Sequence, residues 1–113
     1  IATASFMFSP DSPSEQKESI LNTYAAADPS IAIPVVKVAF TQAQGEIKLI
    51  EALDMPFMLI SSTMIPVNEA SLQTHYKGPL FKNFLIEKAG HFPMYERPEA
   101  FNSALVQALQ EIE

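Results

Sequence analysis

Apolar positions follow two rhythms along this chain, and the rhythm changes near residue 55. In the first half, Ile20, Leu21, Tyr24 and Ala27 recur at helical spacing, which predicts a helix with one apolar stripe. Ser12-Pro13-Ser14-Glu15 supplies its start: Ser12 as cap, Pro13 in the first helical position, Glu15 closing a capping box. Asp28-Pro29 repeats the start signal for a second helix, predicted to run to about residue 44. Its interior holds Ile31, Ile33, Val35, Val36, Val38, Ala39 and Phe40, a pattern apolar nearly all round that calls for burial on more than one side. Pro34 has no N–H to donate, so it either kinks this helix or moves its start. Gly45 is placed to end it as a C-cap, and a short third helix is expected over residues 46–53. Residues 1–8, apolar with Thr and Ser mixed in, read as a strand end or a lid segment before the turn cluster Ser9-Pro10-Asp11-Ser12-Pro13.

Beyond residue 55 the spacing tightens. Phe57-Met58-Leu59-Ile60 continues an apolar run that follows Pro56 and closes on Ser61-Ser62, the signature of a strand buried on both faces. Residues 68–76 predict a helix, ended by Gly78-Pro79. Residues 81–87 predict a second strand centred on Phe84, Leu85 and Ile86. Pro98 then opens a last helix with Phe101, Leu105 and Leu109 at i, i+4 and i+8. Strand, helix, strand, helix is a βαβα unit, which implies a parallel pair joined by a right-handed crossover. Two parallel strands cannot shield both of their faces, so further strands are expected from outside this sequence.

Composition narrows the partners. At 113 residues the chain is one domain or a piece of one, and 48% hydrophobic residues suffice for a packed core. The net charge of −6, with seven Lys and Arg scattered singly, argues against nucleic acid and anionic membrane, which need a positive footprint. Cysteine is absent, so disulfides, thiolate metal sites and cysteine nucleophiles are excluded together, and a reducing cytoplasm is mildly favoured as compartment. No apolar run approaches the roughly 18 residues of a membrane span. The opening Ile1-Ala2-Thr3 lacks a basic start and an initiator Met, which is the expected appearance of a cleaved or truncated chain.

The stretch with the most chemistry is Gly90-His91-Phe92-Pro93-Met94-Tyr95-Glu96-Arg97-Pro98-Glu99-Ala100-Phe101-Asn102. Here a histidine sits in a tight turn between an apolar run and a helix start, a placement that exposes an imidazole at a sheet edge as a general base. The stretch closely resembles the catalytic-histidine segment near the C-terminus of α/β-hydrolases. The resemblance extends over residues 28–109. Asp28-Pro29-Ser30-Ile31-Ala32 resembles a lid-helix start in small esterase-like members, and Leu53-Asp54-Met55-Pro56-Phe57-Met58-Leu59-Ile60 resembles their penultimate strand. Ser61-Ser62-Thr63-Met64-Ile65-Pro66-Val67-Asn68 resembles the loop that follows it.

That resemblance implies a fold class: α/β, the C-terminal portion of an α/β-hydrolase fold. Residues 1–54 would be a helical lid or cap segment, and residues 55–113 the βαβα part of the parallel-sheet core. It also implies acyl transfer on carboxylic esters, with His91 accepting the nucleophile's proton and returning it to the leaving group. Met64 and Met94 are the candidate substrate contacts. Glu96 is expected to hydrogen-bond backbone near the helix start. His75, among polar helix residues, is read as solvent-facing, and two histidines alone do not make a zinc site. No metal or cofactor is expected.

The chain departs from the family pattern twice. Where the family usually carries the triad acid, this sequence has Thr63, which cannot ionise. Asp11 is the candidate replacement if residues 1–8 form the strand before the lid; Asp54 and Glu69 are weaker ones. The acid may also lie outside the sequence, or be lost. The second departure is the nucleophile. Gly-x-Ser-x-Gly needs two glycines four apart, and Gly45, Gly78 and Gly90 supply no such pair. The serine is therefore expected upstream of this chain, which alone should be inactive. Expected partners are an ester-like small molecule and either the N-terminal portion of the same hydrolase or a second copy of the chain. The alternative is a hydrolase-derived binding or receptor module that has lost its chemistry.

Overall fold

The computed structural model describes residues 4–41 and 43–112, and the change of rhythm near residue 55 marks a change of architecture. Three helices come first: α1 (Ser14–Ala26), α2 (Pro29–Thr41) and α3 (Ala43–Ala52). The βαβα unit follows as β1 (Phe57–Ser62), α4 (Glu69–His75) and β2 (Phe81–Ile86), then a one-turn helix α5 (Pro93–Glu96) and the last helix α6 (Pro98–Gln110). The class is mixed α/β with a parallel strand pair, as expected.

Side-chain oxygens explain several helix boundaries. Asp28 starts α2 by accepting from the Ser30 amide at 2.8 Å, which satisfies one of the donors orphaned at a helix start. Asn68 does the same for α4, accepting from Ser71 N at 3.0 Å. Pro34 lies inside α2 and does not move its start.

Three local expectations are corrected. Gly45 does not end a helix; it lies within α3, and α2 stops earlier, at Thr41. There the Thr41 hydroxyl bonds back to the Val38 carbonyl, a side-chain competitor in the last turn. Ser12 does not cap α1, whose N-cap position is Pro13 with no side-chain bond, because the Ser12 hydroxyl is drawn to Glu96 instead. The strand expected over residues 1–8 is not seen in its described part: Ser5–Met7 form a 3₁₀ turn, while residues 1–3 of that expectation lie outside the described residues.

The strands pair in register from Phe57 opposite Phe81 to Ser62 opposite Ile86. At their N-terminal end, Tyr76 is buried against Phe57 and Phe81, with ring centroids 5.7 and 6.2 Å away. Its hydroxyl lies 2.6 Å from the Met55 carbonyl and 3.0 Å from the Leu80 carbonyl, so one side chain ties the approaches to both strands.

One face of the sheet is covered by α6. The buried cluster is Ile86, Ala89 and Ala104, with Ile60 and Phe84 packed against it. The stripe that α6 buries differs from the Phe101, Leu105, Leu109 expectation. Ala104 and Ala108 are buried, while Leu105 and Leu109 are 41% and 50% exposed. Alanines let the helix backbone lie close to the pleat, and a strand pair is too narrow to cover the neighbouring leucines as well. The same shortage of partners shows on α2. Ile31, Ile33, Val35, Val36 and Val38 are each more than half exposed, so this chain does not supply the burial their pattern calls for.

Candidate functional site

β2 delivers His91 to the rim of the sheet through a short, tightly specified connection. Glu87 and Lys88 form a turn in which Lys88 takes a left-handed backbone, φ 55°. The loops leaving both strands are zipped together: Thr63 N donates to the Ile86 carbonyl, Met64 N to the Ala89 carbonyl, and Lys88 N to the Thr63 hydroxyl. Thr63, at the family's acid position, thus serves as a neutral acceptor for backbone.

Gly90 follows, and the chain passes so close to residues 7 and 8 that a Cβ would lie 2.1 Å from the Met7 carbonyl oxygen. His91 N donates to that same oxygen. The His91 ring itself is exposed, edge-on to Phe92 with centroids 5.0 Å apart. Among the described residues no hydrogen bond engages either ring nitrogen, which leaves the imidazole free to take or give a proton.

Under the histidine turn lies a carboxylate that the sequence marked only as a backbone binder. Glu96 is 1% exposed, the most deeply buried large side chain among the described residues. It accepts from Gly90 N and Phe92 N, the amides on either side of His91, each at 3.0 Å. It also accepts from Ser9 N at 3.0 Å and from the Ser12 hydroxyl. A carboxylate has about four lone-pair sites, so this one is fully occupied and is not available to orient the imidazole. Burial pushes its pKa up. The Ser12 hydroxyl and the amides of Ser9, Gly90 and Phe92 together outweigh burial and hold the group below the ordinary glutamate range.

The candidate residues are brought together only in part. His91 and Met94 share a cleft of about 270 Å³ along β1, with Leu59, Ser62 and Phe101 in its walls. Met64 is exposed and does not line it. Asp11 is exposed in its turn, its amide on the Ser9 hydroxyl and its carbonyl on Arg97 Nη2 at 3.1 Å. No hydrogen bond or ion pair among the described residues joins Asp11 to His91. Asp54 is exposed, and Glu69 accepts from the Asn83 amide. His75 is only partly exposed, its Nδ1 2.8 Å from Glu51 Oε1. No cluster of three His, Cys, Asp or Glu suited to a metal occurs among the described residues.

A larger open groove of about 520 Å³ runs between α1 and α5, with Ile20, Tyr24, Phe92 and Tyr95 in its walls. Phe92 separates it from the imidazole. Sequence reasoning missed the partners of Glu96. Ser9 and Ser12 carry ordinary turn and cap signals, and nothing local announces a carboxylate from the other end of the chain.

Compared with known protein families, with characterised proteins and with solved structures, the chain has no significant match.

Proposed function

We propose that this chain is the C-terminal portion of a serine α/β-hydrolase acting on carboxylic esters, with His91 as general base and then general acid. The observation that carries the reading is the exposed, unengaged imidazole on a turn just beyond a parallel strand, beside an apolar cleft. A proton shuttle needs a ring with a free nitrogen, a fixed backbone and room for a reacting group next to it. His91 has a backbone held through Gly90, Phe92 and Met7.

The nucleophilic serine, the oxyanion hole and the triad acid belong, on this reading, to polypeptide outside this sequence. The open faces of the sheet and the exposed apolar surface of α2 support such a complement, since parallel sheets are normally covered on both sides. The reaction is acyl transfer. His91 takes the serine proton as the ester carbonyl is attacked, passes it to the departing alcohol, and repeats the cycle with water. Met94 lines the cleft and is the substrate contact the reading retains. This chemistry calls for no metal or cofactor.

Thr63 favours a second reading, a binding or receptor module descended from the same scaffold. Its hydroxyl is already used by the Lys88 amide, and it cannot carry the charge that steadies an imidazolium. Labelling with a serine-directed phosphonate separates the two. The hydrolase reading expects labelling of the polypeptide that contains this chain, and its loss in His91→Ala. Ester hydrolysis at the unaltered rate in that variant would remove His91 from the mechanism. Ligand binding without labelling would favour the receptor.

A further inference from the structure

The geometry points to Glu96 as a positioning residue for His91, one that makes the orientation of the imidazole depend on the Ser9–Ser12 turn at the far end of the chain. The inference rests on the reading of His91 as the proton shuttle.

The carboxylate holds the amides of Gly90 and Phe92, so it grips the backbone immediately before and after the histidine. A ring on an exposed turn has few side-chain contacts of its own. Its direction is therefore set by the backbone that carries it. The same carboxylate holds the Ser9 amide and the Ser12 hydroxyl, and these residues lead directly into α1. Met7 and Gly90 add a second, shape-based lock between the two segments. The histidine turn is thus not self-supporting: half of its mould comes from residues 7–12. A displacement of the helical segment that begins at α1 would pull on Glu96 before it reached His91.

Charge is what makes the arrangement possible. Four N–H and O–H donors converge on one buried site, and only an ionised carboxylate accepts from all of them. A glutamine there keeps the shape but turns two of the acceptor positions into N–H groups facing donors.

Histidine NMR on the labelled chain tests this, because the two histidines report separately. Glu96→Gln is expected to shift and broaden the His91 imidazole signals. His75, paired with Glu51, keeps its own. Hydrogen-exchange protection of the Gly90 and Phe92 amides is expected to fall about tenfold or more, as for a lost bond to a charged acceptor. Ser12→Ala removes one donor without touching the carboxylate, and should move the His91 signals in the same direction by less. If Glu96→Gln does not fold, Ser12→Ala decides alone. His91 signals identical to those of the unaltered chain in a folded variant would overturn the inference. A hydrolysis assay on the complete protein keeps the two ideas apart. Full activity in His91→Ala with shifted His91 signals in Glu96→Gln defeats the hydrolase reading and leaves the positioning intact. Loss of activity in His91→Ala with no shift in either Glu96→Gln or Ser12→Ala does the reverse.

Discussion

Met7 and His91, near opposite ends of the chain, are joined backbone to backbone, the His91 amide donating to the Met7 carbonyl. The contact is possible only because residue 90 has no side chain, and it brings the start of the helical segment against the histidine turn.

Two glycines therefore predict opposite outcomes. Gly90→Ala forces a methyl group against the Met7 carbonyl and is expected to cost about 2–4 kcal/mol, in the range of overpacked sites. Gly45→Ala meets open space inside α3 and is expected to stabilise by about 1 kcal/mol through helix propensity. Thermal or urea unfolding of the two variants beside the parent chain checks both signs.

Acid should weaken the fold through Glu96. Its folded pKa lies below its unfolded value, so the unfolded chain takes up a proton first as pH falls. The stabilisation is complete above the ordinary glutamate value of about 4.3 and is lost as pH falls through the depressed folded value. Urea midpoints measured from pH 7 down to pH 3 should decline steeply in the lower part for the parent chain. They should decline less in Glu96→Gln, which starts lower. Parallel curves would show that another carboxylate carries the acid limb.

Tyr76→Phe keeps the ring against Phe57 and Phe81 but strips the hydroxyl from the Met55 and Leu80 carbonyls. A loss of about 1–2 kcal/mol is expected, the cost of leaving buried acceptors without their donor. A change in the urea midpoint without a change in slope would confirm that the fold itself is retained.

His91→Ala should be nearly silent in stability, within about 0.5 kcal/mol, because the ring is exposed and unbonded. A large loss would mean that the ring is a structural prop, and the proton-shuttle proposal would lose its main support.

The exposed apolar surface predicts association. Ile31, Val35 and Val38 on α2, and Leu105 and Leu109 on α6, leave more greasy surface in water than an isolated small domain tolerates. Sedimentation of the chain alone should therefore be concentration-dependent. A single monomeric species up to high concentration would contradict this.

Order and type of the main elements were legible because they follow from local rules. Asp28 and Asn68 start helices through bonds to amides two and three residues on, and the run from Phe57 to Ile60 can only be extended and buried. The position of His91 between a strand and a helix was legible for the same reason. The errors fall where a distant group competed with a local one. Ser12 carries every mark of a cap, yet a carboxylate from the other end of the chain takes its hydroxyl. The leucines of α6 have the right period to be buried, yet the sheet is wide enough only for Ala104 and Ala108.

By itself, then, the sequence determined the alternation of elements, the parallel pair and the turn that presents an imidazole, all set by neighbours within a few residues. Only the tertiary structure decided that Glu96 is buried and saturated, that Gly90 lies against Met7, and that Asp11 stays apart from His91. Those outcomes depend on which distant donors and acceptors meet, and burial makes an unmet one costly enough to override a local preference.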